Sequence, residues 1–308
     1  MANLYLSICI PTNGRIEILK NTLDSIFSDC TVSYSDFEVV LSDNSKNEEL
    51  EILMKSYEQF PNIVYSKTDC EGFLNSINAL KLGKGLFLKL HNNYTMFSSQ
   101  GLSKLISFIK QNEPIRPLVF FKNSGKEELK KYDSFNSFNL DLSFWNTWSS
   151  GFSIWKEDFI NMSDLEVNKM FPHTSLLLNQ YSKDLFIIND YVFFENQEVP
   201  QKGGYNLFRT FAVDYLQMME QTKEKGHISS LTFEKIKDDL FFNFLIIWYY
   251  NTKINKNEFT FNLENIKGSL QVYYGKNSYF KLLFLSYLLA LKKKTHAFLV
   301  LIKSSKST

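Results

Sequence analysis

Cysteine is scarce in this chain. Cys9, Cys30 and Cys70 are an odd number, and no two lie at metal-ligand spacing. That argues against a disulfide framework or a thiolate zinc cluster and fits a reducing compartment. Proline and glycine are sparse, at 6 and 12 of 308 residues, and no internal repeat or low-complexity linker interrupts the chain. No uninterrupted apolar run reaches the ~18 residues of a membrane-spanning helix. The N-terminus lacks a basic segment followed by an apolar one, so no secretory leader is expected. A dominant charge is missing too: the net charge is +1, which predicts no nucleic-acid partner.

Aromatic residues, by contrast, are abundant at 16%, with 29 Phe and 16 Tyr. Short apolar runs alternate with segments of helical period in the first 115 residues. "LYLSICI" (4–10) is too short for a helix and reads as a buried strand ending at Pro11. "TNGR" is a turn, and "IEILKNTLDSIF" repeats apolar residues at helical spacing. "FEVVLSDNS" (37–45), "NIVYSK" and "LFLKL" read as further strands, and "NEELEILMKSYEQF" and "GFLNSINALKLG" as helices. "SSQGLSKLISFIKQN" is expected to be a helix capped by Ser98 or Ser99. Beyond residue 115 "PLVFFKN" reads as a strand, "KEELKKYDSFNSFNLD" as a polar loop, and "TWSSGFSIWKEDFINM" as a strand turning into a helix. "FPHTSLLLNQYS" reads as a helix and "DLFIINDYVFFEN" as a strand, and the chain is expected to be largely helical from Phe208 onward.

Strands alternating with helices imply right-handed crossovers and a mostly parallel sheet. In such sheets ligands bind beyond the C-terminal strand ends. Four polar segments should therefore converge: Thr12 to Arg15, Ser42 to Ser45, Lys67 to Glu71, and His91 to Tyr94.

In their order and spacing, "LSICIPTNGR", "FEVVLSDNS", "GFLNSINALKLGKGLFLKL" and "KLHNNYTMF" resemble the family 2 glycosyltransferases of GT-A fold, and within them the abequosyltransferase-like branch. The resemblance covers roughly residues 4–195. It implies an α/β, Rossmann-like GT-A domain over 1–207, with a mostly parallel central sheet flanked by helices. A mostly helical C-terminal region then covers 208–308. It also implies an inverting transfer of sugar from a nucleotide-sugar donor to a glycan or lipid-linked oligosaccharide, in capsule, O-antigen or related polysaccharide assembly. The donor would lie against Pro11, Thr12, Asn13, Arg15, Asp43, Ser45, Asp69, Gly72, His91, Asn92 and Asn93, with Asp43 holding the base or ribose. The acceptor would lie against Trp148, Ser150 and Gly151.

One departure from the family pattern matters. Where the family carries a run of aspartates that holds Mg²⁺ or Mn²⁺, this chain has His91-Asn92-Asn93-Tyr94. Amides are poor sole ligands for a hard dication, and imidazole suits softer metals. Three site chemistries stay open: transfer without metal, with Lys, Arg and amide donors facing the diphosphate; a metal held through His91; or an inactive homologue that binds glycan or an assembly partner. For the general base, His173 in "FPHTSLLL" competes with Asp164 and Glu166. A histidine after Pro172 also fits a plain helix start.

Acidic residues stop at Glu264, while Lys267, Lys276, Lys281, Lys292 to Lys294, Lys303 and Lys306 follow. Between them lies the apolar "YFKLLFLSYLLAL". A basic and apolar tail predicts monotopic contact with an anionic membrane surface, on the inner face of the plasma membrane of a cytoplasmic protein. A core helix with a solvated lysine end is the competing expectation.

Overall fold

The structure, a computed structural model, describes residues 4–305, with side chains to residue 295. It divides into two compact units, residues 1–198 and 199–308.

The first unit is built on a five-stranded sheet. Its strands are β1 (Leu6–Thr12), β2 (Phe37–Asp43), β3 (Ile63–Lys67), β4 (Phe87–Leu90) and β8 (Ser153–Trp155), in the order β3-β2-β1-β4-β8. The first four run parallel, and β8 pairs antiparallel with β4. Helices α1 (Ile16–Phe27), α2 (Glu49–Lys55) and α3 (Asn75–Leu82) supply the crossovers. Every residue of β2 and β4 is buried, as are all but Pro11 of β1. This two-sided burial explains why these segments read as continuous apolar runs rather than alternating ones.

The remaining elements of this unit are β5 (Thr95–Phe97), α4 (Gly101–Asn112), β6 (Leu118–Phe121), β7 (Leu129–Tyr132), α5 (Phe135–Leu142), α6 (Lys156–Asn161), α7 (Pro172–Leu178), β9 (Phe186–Asn189) and β10 (Phe194–Asn196). A small sheet has the order β6-β9-β7, and β10 pairs antiparallel with β5. "KEELKKYDSFNSFNLD", expected to be a loop, contains β7 and α5. The helix starts at Ser134, whose hydroxyl caps the Ser137 N–H, and it buries Phe135, Phe138 and Leu142. A polar composition hid that apolar face. The helix α4 begins without a serine side-chain cap: Gln100 occupies the N-cap position in left-handed geometry. Between β9 and β10, the expected single strand breaks at Asp190, which accepts hydrogen bonds from the Ser124 N–H at 2.5 Å and the Ser124 hydroxyl at 2.7 Å.

The second unit contains β11 (Gly203–Asn206), α8 (Leu207–Arg209), α9 (Leu216–Glu224), α10 (Ser230–Leu240), α11 (Ile246–Tyr249), β12 (Thr260–Asn262), α12 (Ile266–Tyr274) and α13 (Ser278–Ser305). It is largely helical, with π-helical turns at Thr210–Tyr215, Phe241–Leu245 and Tyr250–Ile254. The parallel pair β11·β12 interrupts the helical reading.

At the end of the main sheet away from the polar loops, Glu38 is buried and accepts a 2.6 Å hydrogen bond from the Ser7 hydroxyl. Ser7 in turn accepts one from the Gly85 N–H at 2.7 Å. A Cβ on Gly85 would stand 2.7 Å from the Leu6 carbonyl carbon and the Ser7 nitrogen. Those are backbone atoms of a central strand and cannot rotate aside. Gly85→Ala is expected to cost about 1–3 kcal/mol through this overpacking, measured by urea denaturation against wild type.

Candidate functional site

The parallel strand order reverses direction between β1 and β4: the chain winds one way through β2 and β3, then returns to β4 on the other side of β1. Ligands of such sheets bind beyond the C-terminal strand ends at the switch, here those of β1 and β4. The loops that leave these strands are joined there by side-chain amides. Asn93 Nδ2 donates to Thr12 Oγ1 at 3.1 Å and to the Gly14 carbonyl at 3.4 Å. Asn75 Nδ2 donates to the Ser42 carbonyl at 2.8 Å and the Thr12 carbonyl at 3.4 Å, while its Oδ1 accepts from the Ser42 hydroxyl at 2.6 Å. Asn78 reaches the Ser42 hydroxyl at 2.8 Å, and Asn44 the Cys70 carbonyl at 2.8 Å. All four predicted segments are thereby brought together.

Within this frame the predicted residues divide into a rim and a floor. Asn13, Arg15, Asp69 and Gly72 are exposed at the rim, while Pro11, Ser45 and Asn92 are half-buried. Arg15 sits in left-handed geometry at the start of α1, and Gly72 has φ +49° at the turn into α3. Thr12, Asp43 and Asn93 are buried beneath them. Asp43 receives the Ser45 N–H at 2.8 Å, Lys67 Nζ at 2.9 Å and the Tyr65 hydroxyl at 3.0 Å. Burial alone would raise its pKa, but the bonds from Ser45, Lys67 and Tyr65 outweigh that and hold the carboxyl below its usual range. Asp43 is thus an ionised group at the strand end, covered by Lys67, which is itself exposed.

His91 is directed away from the rim. Its ring is fully buried, stacked on Phe97 at 4.9 Å and edge-on to Phe194 at 5.4 Å, and Nε2 lies 2.6 Å from the Thr95 carbonyl. Burial, and after it the neighbouring Lys89 charge, push its pKa down to about 3. A neutral core imidazole is the outcome, because the residue alternates inward where the chain leaves β4. His173 is likewise buried, with Nε2 3.1 Å from the Thr147 carbonyl, and burial lowers its pKa to about 4. It ties the start of α7 to the turn before β8. Asp164 and Glu166 are exposed on the loop after α6. Their neighbours Ser163, Leu165 and Val167 wall one cavity with Leu74 and Ile77, just beyond Gly72.

The predicted acceptor residues flank Asn92. Ser150 is buried and accepts the Asn92 N–H at 2.8 Å, and Ser149 donates to Asn92 Oδ1 at 2.8 Å. The Asn92 amide also donates to the Tyr94 hydroxyl at 2.8 Å. Trp148 is half-buried, and Gly151 is buried where a Cβ would strike the Phe120 ring.

These donors do not fit a hard dication. His91 is in the core, the Asn92 oxygen is engaged by Ser149, and Asn93 is a buried neutral amide whose nitrogen is held by Thr12 and Gly14. Among the described residues no group of three or more His, Cys, Asp or Glu could hold a metal ion.

Lys89 was not singled out in the sequence. It lies fully buried on β4, donating to the Leu90 carbonyl at 2.8 Å and to the Ser150 carbonyl, with the Phe194 and Phe121 rings at 4.7 and 5.3 Å. A lysine in a strand buried on both faces was the available signal. Its ammonium fastens the 149–151 turn to β4, and through Ser150 sets the position of Asn92.

A comparison with known families matches the glycosyl transferase family 2 description to residues 7–168. This chain belongs to glycosyl transferase family 2. The match spans β1 through the loop carrying Asp164 and Glu166. Among solved structures the chain is similar to Staphylococcus aureus TarS 1–349, at 15% identity and TM-score 0.59, covering 88% of this chain and 81% of that one. The same TarS fragment in complex with UDP-GlcNAc aligns at 14% identity and TM-score 0.59, covering 81% and 76%. With UDP it aligns at 15% and 0.57, covering 81% and 75%. These likenesses establish the GT-A-like α/β fold, with a mixed central sheet flanked by helices and a helical C-terminal region. No curated protein matches the chain.

Burial pulls the Lys89 pKa down to about 7. The unfolded chain then holds a proton that the native state releases between pH ~7 and ~10, so stability rises with pH across that window. The wild type is expected to show this gain from pH 7 to 9 relative to Lys89→Met in parallel urea titrations. The variant should also lower transferase activity by displacing the 149–151 turn. For His91 the sign is the same in a lower window: stability falls as pH drops from 6.5 toward 3, and His91→Phe should reduce that acid loss.

Proposed function

We propose that the protein transfers a sugar from a nucleoside-diphosphate donor to a hydroxyl of a glycan, with inversion. In this reading it serves bacterial surface-polysaccharide assembly, as an abequosyltransferase-like member of family 2. The observation that carries the reading is the junction of the four loops at the strand-order switch, with the ionised Asp43 beneath an exposed rim. Uridine is the first base to test, because two TarS structures hold UDP-GlcNAc and UDP.

As the sugar–phosphate bond breaks, negative charge grows on the departing diphosphate. The groups this chain has available to face that charge are Arg15, Lys67 and the amides of the 91–94 turn, and they would stabilise it by preorganised donation. The acceptor oxygen attacks the anomeric carbon from the opposite side while a base takes its proton. We assign the base to the exposed pair Asp164 and Glu166 rather than to His173, whose imidazole is buried against the Thr147 carbonyl. The pair's loop lies against the start of α3, next to Gly72, which bounds the donor side.

A second reading rests on the absence of carboxylates after β4: a subunit that binds nucleotide or glycan without turnover. Calorimetry with UDP, dTDP, CDP and GDP, with and without Mn²⁺, addresses both. Binding without Mn²⁺ is expected, weakened at least tenfold by Asp43→Asn; the absence of binding to any of them would overturn the transferase reading. In a donor-hydrolysis and transfer assay, Asp164→Asn or Glu166→Gln should lower kcat by about 10²–10⁴-fold, typical of losing a general base, with nucleotide affinity unchanged. Unaltered turnover in both variants would reject the assigned base.

A further inference from the structure

The carboxyl-terminal helix carries an apolar stripe that the protein itself does not cover. Phe280, Phe284, Tyr287, Leu288 and Leu291 are 68, 64, 59, 45 and 60% exposed. At 100° per residue they fall within an arc of about 100°. Leu282, Ser286 and Ala290, all buried, lie on the opposite side and pack the helix onto its unit. The stripe is therefore separate from the face that holds α13 in place. Three of its five residues are aromatic, which a solvated helix face does not need.

The charged residues that α13 itself places beside the stripe have one sign. Lys281 and Lys292 border one edge of the stripe and Lys294 the other, and all three are exposed. The segments against which α13 packs, α11 with the turn Tyr250–Ile254 and α12, contain no acidic residue. Glu234 and Asp238 share a cavity with Ser278 and Lys281 at the start of the helix. An apolar strip with lysines on both borders matches the boundary of an anionic bilayer, where rings enter the acyl region and ammonium groups reach phosphates. A second copy of the chain fits less well, because pairing the two stripes would set lysine against lysine. No described helix is long and apolar enough to cross a membrane, so the helix would lie in the interface plane.

We infer that residues 280–294 form an in-plane docking surface for an anionic lipid bilayer. The proposal is independent of the transferase reading. The side chain of Lys303, and Lys306, lie outside the described residues and are not needed for it.

The test is flotation of the full chain with vesicles of phosphatidylcholine alone and of phosphatidylcholine with phosphatidylglycerol. Association with the anionic vesicles is expected, weakening as salt rises. Phe284→Asp with Leu291→Asp should lower the vesicle-bound fraction more than tenfold while circular dichroism and thermal melting stay as in wild type. Lys281→Gln with Lys292→Gln and Lys294→Gln should remove the preference for anionic lipid. Leu231→Asp, at a 69% exposed site away from the stripe, should change nothing. Three results would overturn the proposal: no flotation of the wild type, equal flotation of the Asp variants, or a dimer in light scattering that those variants dissolve.

Discussion

The hydrogen bond from the Asn93 amide to the Thr12 hydroxyl, 3.1 Å long, joins loops that would otherwise leave the sheet independently. Parallel strands on either side of a topological switch have connections that diverge, so their ends stay together only where short polar side chains bridge them. Here that function falls to neutral amides: Asn93 across β1 and β4, and Asn75 across β1 and β2. Each pairs a buried donor with a carbonyl or hydroxyl, which meets the requirement that buried polar groups find partners. The rim that would meet a ligand depends on this floor staying in place.

Lys89 extends the same arrangement one layer deeper. A charge without an adjacent carboxylate in the core is costly, and two carbonyls and two aromatic rings compensate for it only in part, as its lowered pKa shows. The compensation links β4 to the 149–151 turn, so a residue that touches no rim atom still governs where Asn92 stands. The two buried histidines contribute differently. Each uses its Nε2 on a backbone carbonyl, and both are neutral packing groups across ordinary pH.

Much of the fold was legible because the first half of the chain obeys simple period rules. The buried strands 6–12, 37–43 and 87–90 announce themselves as apolar runs, and α1 and α4 by residues repeating at helical spacing. The same rules missed α5, where serines and asparagines surround the apolar face, and β12, three residues long and paired only through a partner nearly sixty residues away. Helix and strand patterns are local, whereas such pairings are set by tertiary contacts.

Of the site, the convergence of the four polar segments could be read from the residues alone, because a parallel sheet with helical crossovers leaves its strand-end loops no other edge. The run after β4, His91-Asn92-Asn93-Tyr94, is likewise plainly without a carboxylate. Which of the groups in that run face outward depends on packing against distant parts of the chain. His91 and Asn92 are neighbours in the chain, yet one enters an aromatic core and the other binds the serine turn at 149–150, because the chain's alternation after β4 meets a different environment on each side. Side-chain direction at a strand end is fixed by what packs there, and for His91 and Asn92 that packing comes from residues 149–150 and 194, far along the chain.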